Sequence, residues 1–411
     1  MPLSINSERL WDRHMALATI GATDKGGVNR PALSDLDGAA RRQLATWARE
    51  AGLDLQTDAI GNLFMIFPGT EPDLAPVLTG SHADSQPTGG KFDGAYGVLA
   101  GLETLCAFRD AGIRTRRSVA TVAWTNEEGS RFTPGLMGSG VYVGRLTIPE
   151  FEDHTDGKGV TVTTALVDFL ATTPDIPEAP FPTPSHYIEA HIEQGPVLEA
   201  AGKTIGVVTA IQGARWFRVS LGGEEAHAGT TPRRNRRDPM VSASRILARL
   251  LAEADDGEAD ITRFTVGQIE AFPGSPNTVP GRVVFTIDLR HPEVAALDRY
   301  EARIRAAAAE LAVPCDVEVS QVFDAPPTRF EPELVDRIRD TVGTLGYSHM
   351  DLPSGALHDA ANMAKICPSA MIFIPCEKGI SHNEAEAATP ADVAAGTHVL
   401  ANALLDLAEP V

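Results

Sequence analysis

Short apolar runs bounded by Gly or Pro alternate with amphipathic stretches over the first 200 residues. Asn62–Phe67 (NLFMIF), Pro76–Thr79 (PVLT) and Ser118–Trp124 (SVATVAW) read as strands buried on both faces. Arg41–Ala51 (RRQLATWAREA), closed by Gly52, and Val98–Ala111 (VLAGLETLCAFRDA) read as helices. Strand, helix, strand with long crossovers predicts a mostly parallel sheet with helices on both faces. Phe169–Ser185, rich in Pro, Thr and Asp, reads as a surface loop.

After Ile211 the texture changes. Ala214–Leu221 (ARWFRVSL) and Arg282–Arg290 (RVVFTIDLR) alternate apolar with polar, as in an antiparallel sheet with one wetted face. Helical patterns cover roughly Pro239–Glu253 and Glu293–Ala312. The α/β texture resumes near Phe330 and ends with the strand Ala370–Ile374 and the helix Pro390–Leu407. The simplest architecture is an α/β domain (1–212 and 330–411) interrupted by a smaller α+β domain at 213–329.

Composition narrows the function classes. Hydrophobic residues are 43% and charged residues 22% of the 411, enough apolar material for a packed core and unlike a disordered chain. Lys and Arg number 35 against 55 Asp and Glu, a net charge of −20, which disfavours nucleic acid and anionic membrane as partners. No apolar run approaches the roughly 18 residues of a membrane helix, and the polar start MPLSINSERLWDRHM does not resemble a secretory leader. The four cysteines (Cys106, Cys315, Cys367, Cys376) lack C-x-x-C spacing and read as reduced thiols in a cytoplasmic protein.

Candidate chemistry gathers where the apolar runs end, which is where open parallel sheets hold ligands. Pro76–Thr79 is followed by His82 and Asp84, and then by Asp93 in GGKFDG. Ser118–Trp124 is followed by Glu127-Glu128, Tyr187–Ala190 by His191 in HIEQG, and Ala370–Ile374 by His382. Imidazole with carboxylate suits Zn, Mn, Co or Ni, and a carboxylate can bridge two ions. Singly, each has an ordinary explanation: a solvated glutamate pair, a hydrogen-bonded structural histidine, a glycine-rich turn. Five potential ligands on four separate strand ends are harder to attribute to loop composition. No G-x-G-x-x-G or G-K-[ST] follows a strand to suggest a nucleotide site.

The stretches GSHADSQPTGGKFDGAYGVLAGLE, WTNEEGSRF, HIEQGPVLE, AHAGTTP, PNTVPG, DLRHPE, SGALHDAANMA and GISHNEAE, in this order from Gly80 to Glu386, resemble the metal-dependent M20-type amidohydrolases and peptidases. Within that group they are most similar to the N-carbamoyl-L-amino-acid hydrolase, allantoate amidohydrolase and β-ureidopropionase branch, and HIEQGP discriminates best. The resemblance implies two divalent ions, with Zn the default and Mn, Co or Ni open. His82, Asp93 and His191 would hold one; Asp93, Glu128 and His382 would hold the other. Asp84 would orient the His82 ring, and Glu127 would be the general base.

It further implies that the insert acts as a lid and joins a homodimer. Arg290 would grip a substrate carboxylate bidentately. Asn277, Gln194 and His358 would contact substrate, and His227 would stabilise the oxyanion from the neighbouring subunit. Two departures stand out: Leu357 where the family usually has Gly before His-Asp, and the basic run Arg233–Arg237, which reads as a solvated loop. The activity implied is hydrolysis of a linear C–N bond in a ureide, with release of ammonia. An aminoacylase or dipeptidase on the same scaffold is the nearest alternative, and a non-catalytic binding protein a remoter one, since the whole catalytic set is present.

Overall fold

A computed structural model describes residues 2–255 and 261–411. They form two compact units, one made of the chain up to Thr209 together with Arg329–Val411, the other of Ala210–Thr328. The strands, in chain order, are β1 (Asp54–Thr57), β2 (Leu63–Phe67), β3 (Val77–His82), β4 (Val119–Trp124), β5 (His186–Ile192), β6 (Ile205–Ile211), β7 (Gly213–Gly222), β8 (Ala226–His227), β9 (Arg263–Thr265), β10 (Ile269–Phe272), β11 (Thr278–Val279), β12 (Arg282–His291), β13 (Asp316–Ala325), β14 (Thr328–Arg329), β15 (His349–Ser354) and β16 (Ser369–Ile374).

The larger unit is built on a sheet ordered β1-β2-β4-β3-β5-β16-β6-β14, with β15 also pairing β6. Its centre is parallel: β3 pairs in parallel with β4 and β5, and β16 with β5. The flanks are antiparallel, β2 against β4 and β6 against β16. Every residue of β3 and of β16 is buried, as a strand covered on both faces requires. The helices Ala95–Asp110 and Pro390–Leu407 supply much of that cover, and the first is buried along nearly its whole length. Two strands run further than the apolar pattern indicated. β3 continues through Gly80 and Ser81 to His82, and β5 through His191 to Ile192. Polar residues there are buried rather than solvated, so polarity does not mark the strand end.

The smaller unit is an antiparallel sheet ordered β10-β12-β7-β13, with β9 also on β12. Phe217, Val219 and Leu221 of β7 and Val283, Phe285, Ile287 and Leu289 of β12 face one way. They pack with Ala243, Ile246 and Leu250 of the helix Pro239–Ala254 and Leu297 and Ile304 of the helix Val294–Leu311. The intervening Trp216, Arg218 and Ser220 lie on the wetted face. Among the described residues no helix is long and apolar enough to cross a membrane.

Candidate metal centre

Four parallel strand ends put their polar residues in one place. His82 is the last residue of β3 and lies in register with Trp124, the last residue of β4, so Glu127 and Glu128 turn off close beside it. His191 on β5 pairs with Phe373 on β16, whose continuation carries His382. Asp93 arrives from the loop before the helix Ala95–Asp110, at the end where a helix dipole favours negative charge. Gly94, the residue between them, has φ +64° and would place a Cβ 2.3 Å from His82 Nε2. Both the left-handed backbone and the close approach demand glycine there.

The carboxylate of Asp93 sits between two groups. Its Oδ1 lies 3.2 Å from His191 Nε2 and 3.8 Å from His82 Nε2. Its Oδ2 lies 3.2 Å from His382 Nε2, which is also 3.5 Å from Glu128 Oε2. Thus His82, Asp93 and His191 form one trio and Asp93, Glu128 and His382 a second, with ligand atoms inside each trio within 4.8 Å of one another. His82 Nδ1–H donates to the Asp84 carbonyl at 2.9 Å, and His191 Nδ1–H to the Ile192 carbonyl at 2.9 Å. These bonds set both rings with Nε2 toward Asp93, the orientation a metal-binding histidine requires. Glu127 Oε2 lies 3.4 Å from His82 Nε2.

The electrostatics fit cations. Among the described residues, the partners of Asp93, Glu127 and Glu128 at ion-pair distance are histidines. Burial, then Asp359, Glu128, Asp84 and Asp93, pushes the Glu127 carboxyl well above its ordinary range. Burial and Asp93 push Glu128 up to about 8. Asp93 stays well below the usual range although it is buried, because His191 and His382 hydrogen-bond to it. His382 is raised to about 9 chiefly by its bond to Asp93; His191 reaches about 9 against the opposing effect of burial. A buried crowd of carboxylates that draws protons onto neighbouring imidazoles is short of positive charge, and divalent ions supply it.

Asp84 works differently from the expectation. Its carboxylate is 3.7 Å from His82 Nδ1, and it is the backbone carbonyl that holds the ring. The carboxylate instead accepts the N–H groups of Glu127 at 3.2 Å and Glu128 at 3.3 Å, fixing the peptides that carry both glutamates. Gln194 donates Nε2–H to Asp93 Oδ2 at 3.0 Å, so its amide is engaged with the centre itself. His358 is buried, edge-to-face on His191 with centroids 4.5 Å apart, and its Nε2 meets the Ser354 hydroxyl at 2.9 Å. Leu357 beside it is half-buried.

Sequence reasoning missed Glu189. It lies two residues before His191 on the same face of β5 and forms a further metal-like trio with His191 and His358. Its oxygens already accept from the Ser81 hydroxyl at 2.7 Å and the Ala360 amide at 2.9 Å, which makes it a support behind His191. The period-two spacing was the available signal.

The remaining candidates belong to the smaller unit. His227 on β8 pairs with Thr278 on β11, which brings Asn277 alongside the His227 turn, and the Ala228 N–H donates to the Asn277 carbonyl at 3.0 Å. His227 Nδ1 accepts the N–H groups of Gly229 and Thr230, each at 3.1 Å, so the proton of the neutral ring sits on the exposed Nε2. Arg290 on β12 donates to Asp288, with Nη2 2.9 Å from Oδ2. In the basic run, Arg236 holds the carbonyls of Thr231 and Ala228, while Arg237 pairs with Asp316.

The sequence pattern of Peptidase family M20/M25/M40 matches residues 78–406, a span that contains every residue of both trios. The chain belongs to this family. It is 44% identical to an N-carbamoyl-L-amino-acid amidohydrolase of Rhizobium meliloti over 99% of this chain and 98% of that protein. It is 36% identical to an allantoate amidohydrolase of Escherichia coli over 95% and 96%. A crystal structure of a hydantoinase/carbamoylase family amidase from Burkholderia multivorans superposes with a TM-score of 0.93 at 45% identity, covering all of both chains. The family is metal-dependent, and the two trios described above are groups that could hold such ions.

Proposed function

We propose that the chain is a metal-dependent amidohydrolase that cleaves the C–N bond of a linear ureide, foremost an N-carbamoyl-L-amino acid, with allantoate or N-carbamoyl-β-alanine as related substrates. The products from a carbamoyl substrate are ammonia, CO2 and the free amino acid. The observation that carries the reading is Asp93 standing with one oxygen in each of two His/carboxylate trios, with a further carboxylate, Glu127, against His82. The similarity to carbamoyl-amino-acid and allantoate hydrolases supports a ureide over a simple amide.

Two ions are assigned, Zn by default, with Mn, Co or Ni able to serve. His82, Asp93 and His191 hold one; Asp93, Glu128 and His382 hold the other. Such ions, when bound, supply Lewis acidity to the substrate carbonyl and make the attacking water more acidic. Glu127 takes the proton of that water and delivers it to the departing nitrogen. Asp84 keeps the Glu127–Glu128 peptides from turning away. Arg290 binds the substrate carboxylate through its planar guanidinium, exchanging Asp288 for the ligand. Asn277, Gln194 and His358 offer hydrogen bonds to substrate. His227 of the partner subunit, with its proton on Nε2, donates to the oxygen on which negative charge develops. The active form is thus a homodimer joined through the smaller unit, and the protein is cytoplasmic.

A substrate panel tests this reading. N-carbamoyl-L-amino acids, N-carbamoyl-β-alanine, allantoate, N-acetyl amino acids and dipeptides would be assayed for ammonia and free amino acid, after chelation and after restoring Zn or Mn. Metal-dependent ammonia from a ureide is the expected result. Amino acid released only from acetyl or peptide substrates would move the assignment to an aminoacylase or dipeptidase.

A further inference from the structure

The loop that carries Asp93 is gripped by a carboxylate that belongs to neither trio. Glu386 is 4% exposed and follows His382 by four residues. Its Oε1 accepts the backbone N–H of Phe92 at 2.8 Å and of Asp93 at 3.0 Å. Its Oε2 accepts the hydroxyl of Ser381, the residue before His382, at 2.9 Å. Gln194 closes the ring by donating to Ser381 Oγ at 3.2 Å as well as to Asp93. One side chain therefore ties the Asp93 loop to the His382 turn across a sequence separation of about 290 residues.

The surroundings are shaped to this contact. A Cβ on Gly90 would lie 2.0 Å from Glu386 Oε1, so the loop passes too close for any side chain at that position. From the other side His14 Nε2–H donates to the Lys91 carbonyl at 2.9 Å, and its ring stacks on Phe92 with centroids 4.5 Å apart. The carbonyl of residue 91 and the amides of residues 92 and 93 are all committed, which leaves the backbone at Asp93 little freedom to turn. Because each Asp93 oxygen serves a different trio, a rotation there would misplace both groups at once.

We propose that Glu386 is a positioning residue of the metal centre, holding Asp93 and the His382 turn in register so that both trios exist before any ion arrives. It belongs to none of the groups, among the described residues, whose ligand atoms lie within 4.8 Å of one another, and its two oxygens accept three donors from the loops that carry Asp93 and His382. The inference rests on the reading of Asp93 as the shared ligand, and its test separates the two.

Apo-protein of the wild type, Glu386→Ala, Glu386→Gln, Asp93→Ala and a cavity control, Ile338→Ala, would be titrated with Mn or Zn against a chromophoric chelator, and the apo-protein melting followed by circular dichroism. Ile338 is fully buried in the helix Pro332–Leu345 and reports general destabilisation. Glu386→Ala is expected to lower metal affinity about 10–100-fold, the usual effect of losing support behind a ligand. Glu386→Gln retains the acceptor for both amides and should remain within a few-fold of wild type. Unchanged affinity in Glu386→Ala while Asp93→Ala loses metal would overturn the positioning role alone, as would an equal loss in Ile338→Ala. Wild-type affinity in Asp93→Ala would overturn the shared-ligand reading and this inference with it. If Glu386→Ala does not fold, Ser381→Ala removes the arm to the His382 turn, together with the Ser381 bonds to Gln194 and Asp93, and leaves the grip on the amides of 92 and 93: weakened binding of one equivalent is expected, and two unchanged equivalents would overturn the proposal.

Discussion

The two units hold their candidate residues in opposite ways. In the larger one the candidates, apart from the exposed His382, are buried or half-buried and are held largely through backbone: Asp84 to the amides of 127 and 128, His82 and His191 to carbonyls, Glu386 to the amides of 92 and 93. In the smaller one they sit on short ladders or a wetted sheet face and pair with close neighbours, Arg290 with Asp288 and His227 with its own turn. Metal ligands tolerate little positional error and repay burial with electrostatic strength. Groups that grip and release a small molecule must keep their donors accessible and exchangeable. Under the proposed function, the contrast separates the half that would assemble the chemistry from the half that would recognise the substrate.

The largest expected effect breaks the first half. Glu127→Gln keeps both trios and removes the proton acceptor, so kcat should fall about 10²–10⁴-fold with metal content unchanged. Loss of metal in that variant, read by elemental analysis, would place Glu127 among the ligands. Next comes Arg290. Its replacement by Ala should raise KM for carboxylate-bearing substrates about 10–100-fold, as losing a hydrogen bond to a charged group predicts, with a much smaller change in kcat. Lys at the same place should recover only part of that loss, because it lacks the planar fork; full recovery would reduce the role of Arg290 to simple charge.

A sharper probe of preorganisation is Asp84→Asn. One amide acceptor is lost and an N–H is set against an N–H, while the carbonyl that orients His82 remains. Activity should drop about tenfold or somewhat more with metal retained; metal loss instead would mean the carboxylate supports His82 after all. The smallest effect belongs to Asp288→Ala. Its pair with Arg290 is about one-third exposed, and such pairs contribute about 0–1 kcal/mol. A KM change within about five-fold is expected; a larger one would show that Asp288 aims the guanidinium.

How much of this was legible in the sequence follows from the same physics. Continuous apolar runs such as NLFMIF and SVATVAW mark strands buried on both faces, and the alternation in ARWFRVSL and RVVFTIDLR marks a half-wetted antiparallel sheet. Pattern could not show that β2 runs antiparallel to β4, because a buried strand has the same composition in either direction. It also stopped β3 and β5 short, since the histidines that follow are polar yet buried. The ligand candidates were visible because His82, Glu128, His191 and His382 lie at or beyond the end of a strand, and Asp93 lies in the loop from β3 to the next helix. Glu386 and the true contacts of Asp84 and Gln194 were not: their partners lie in loops tens to hundreds of residues away, and no local period encodes a hydrogen bond to a distant amide.

The central claim is that two ions share Asp93 and that hydrolysis needs them both. The direct test is stepwise reconstitution: metal-free protein receives Mn or Zn in half-equivalent steps, with bound metal and ammonia release from the best ureide measured at each step. The account predicts binding that saturates at two equivalents per chain, full turnover only when both are bound, and loss of both equivalents in Asp93→Ala. Saturation at one equivalent with full activity, or undiminished ammonia release from metal-free protein, would contradict it.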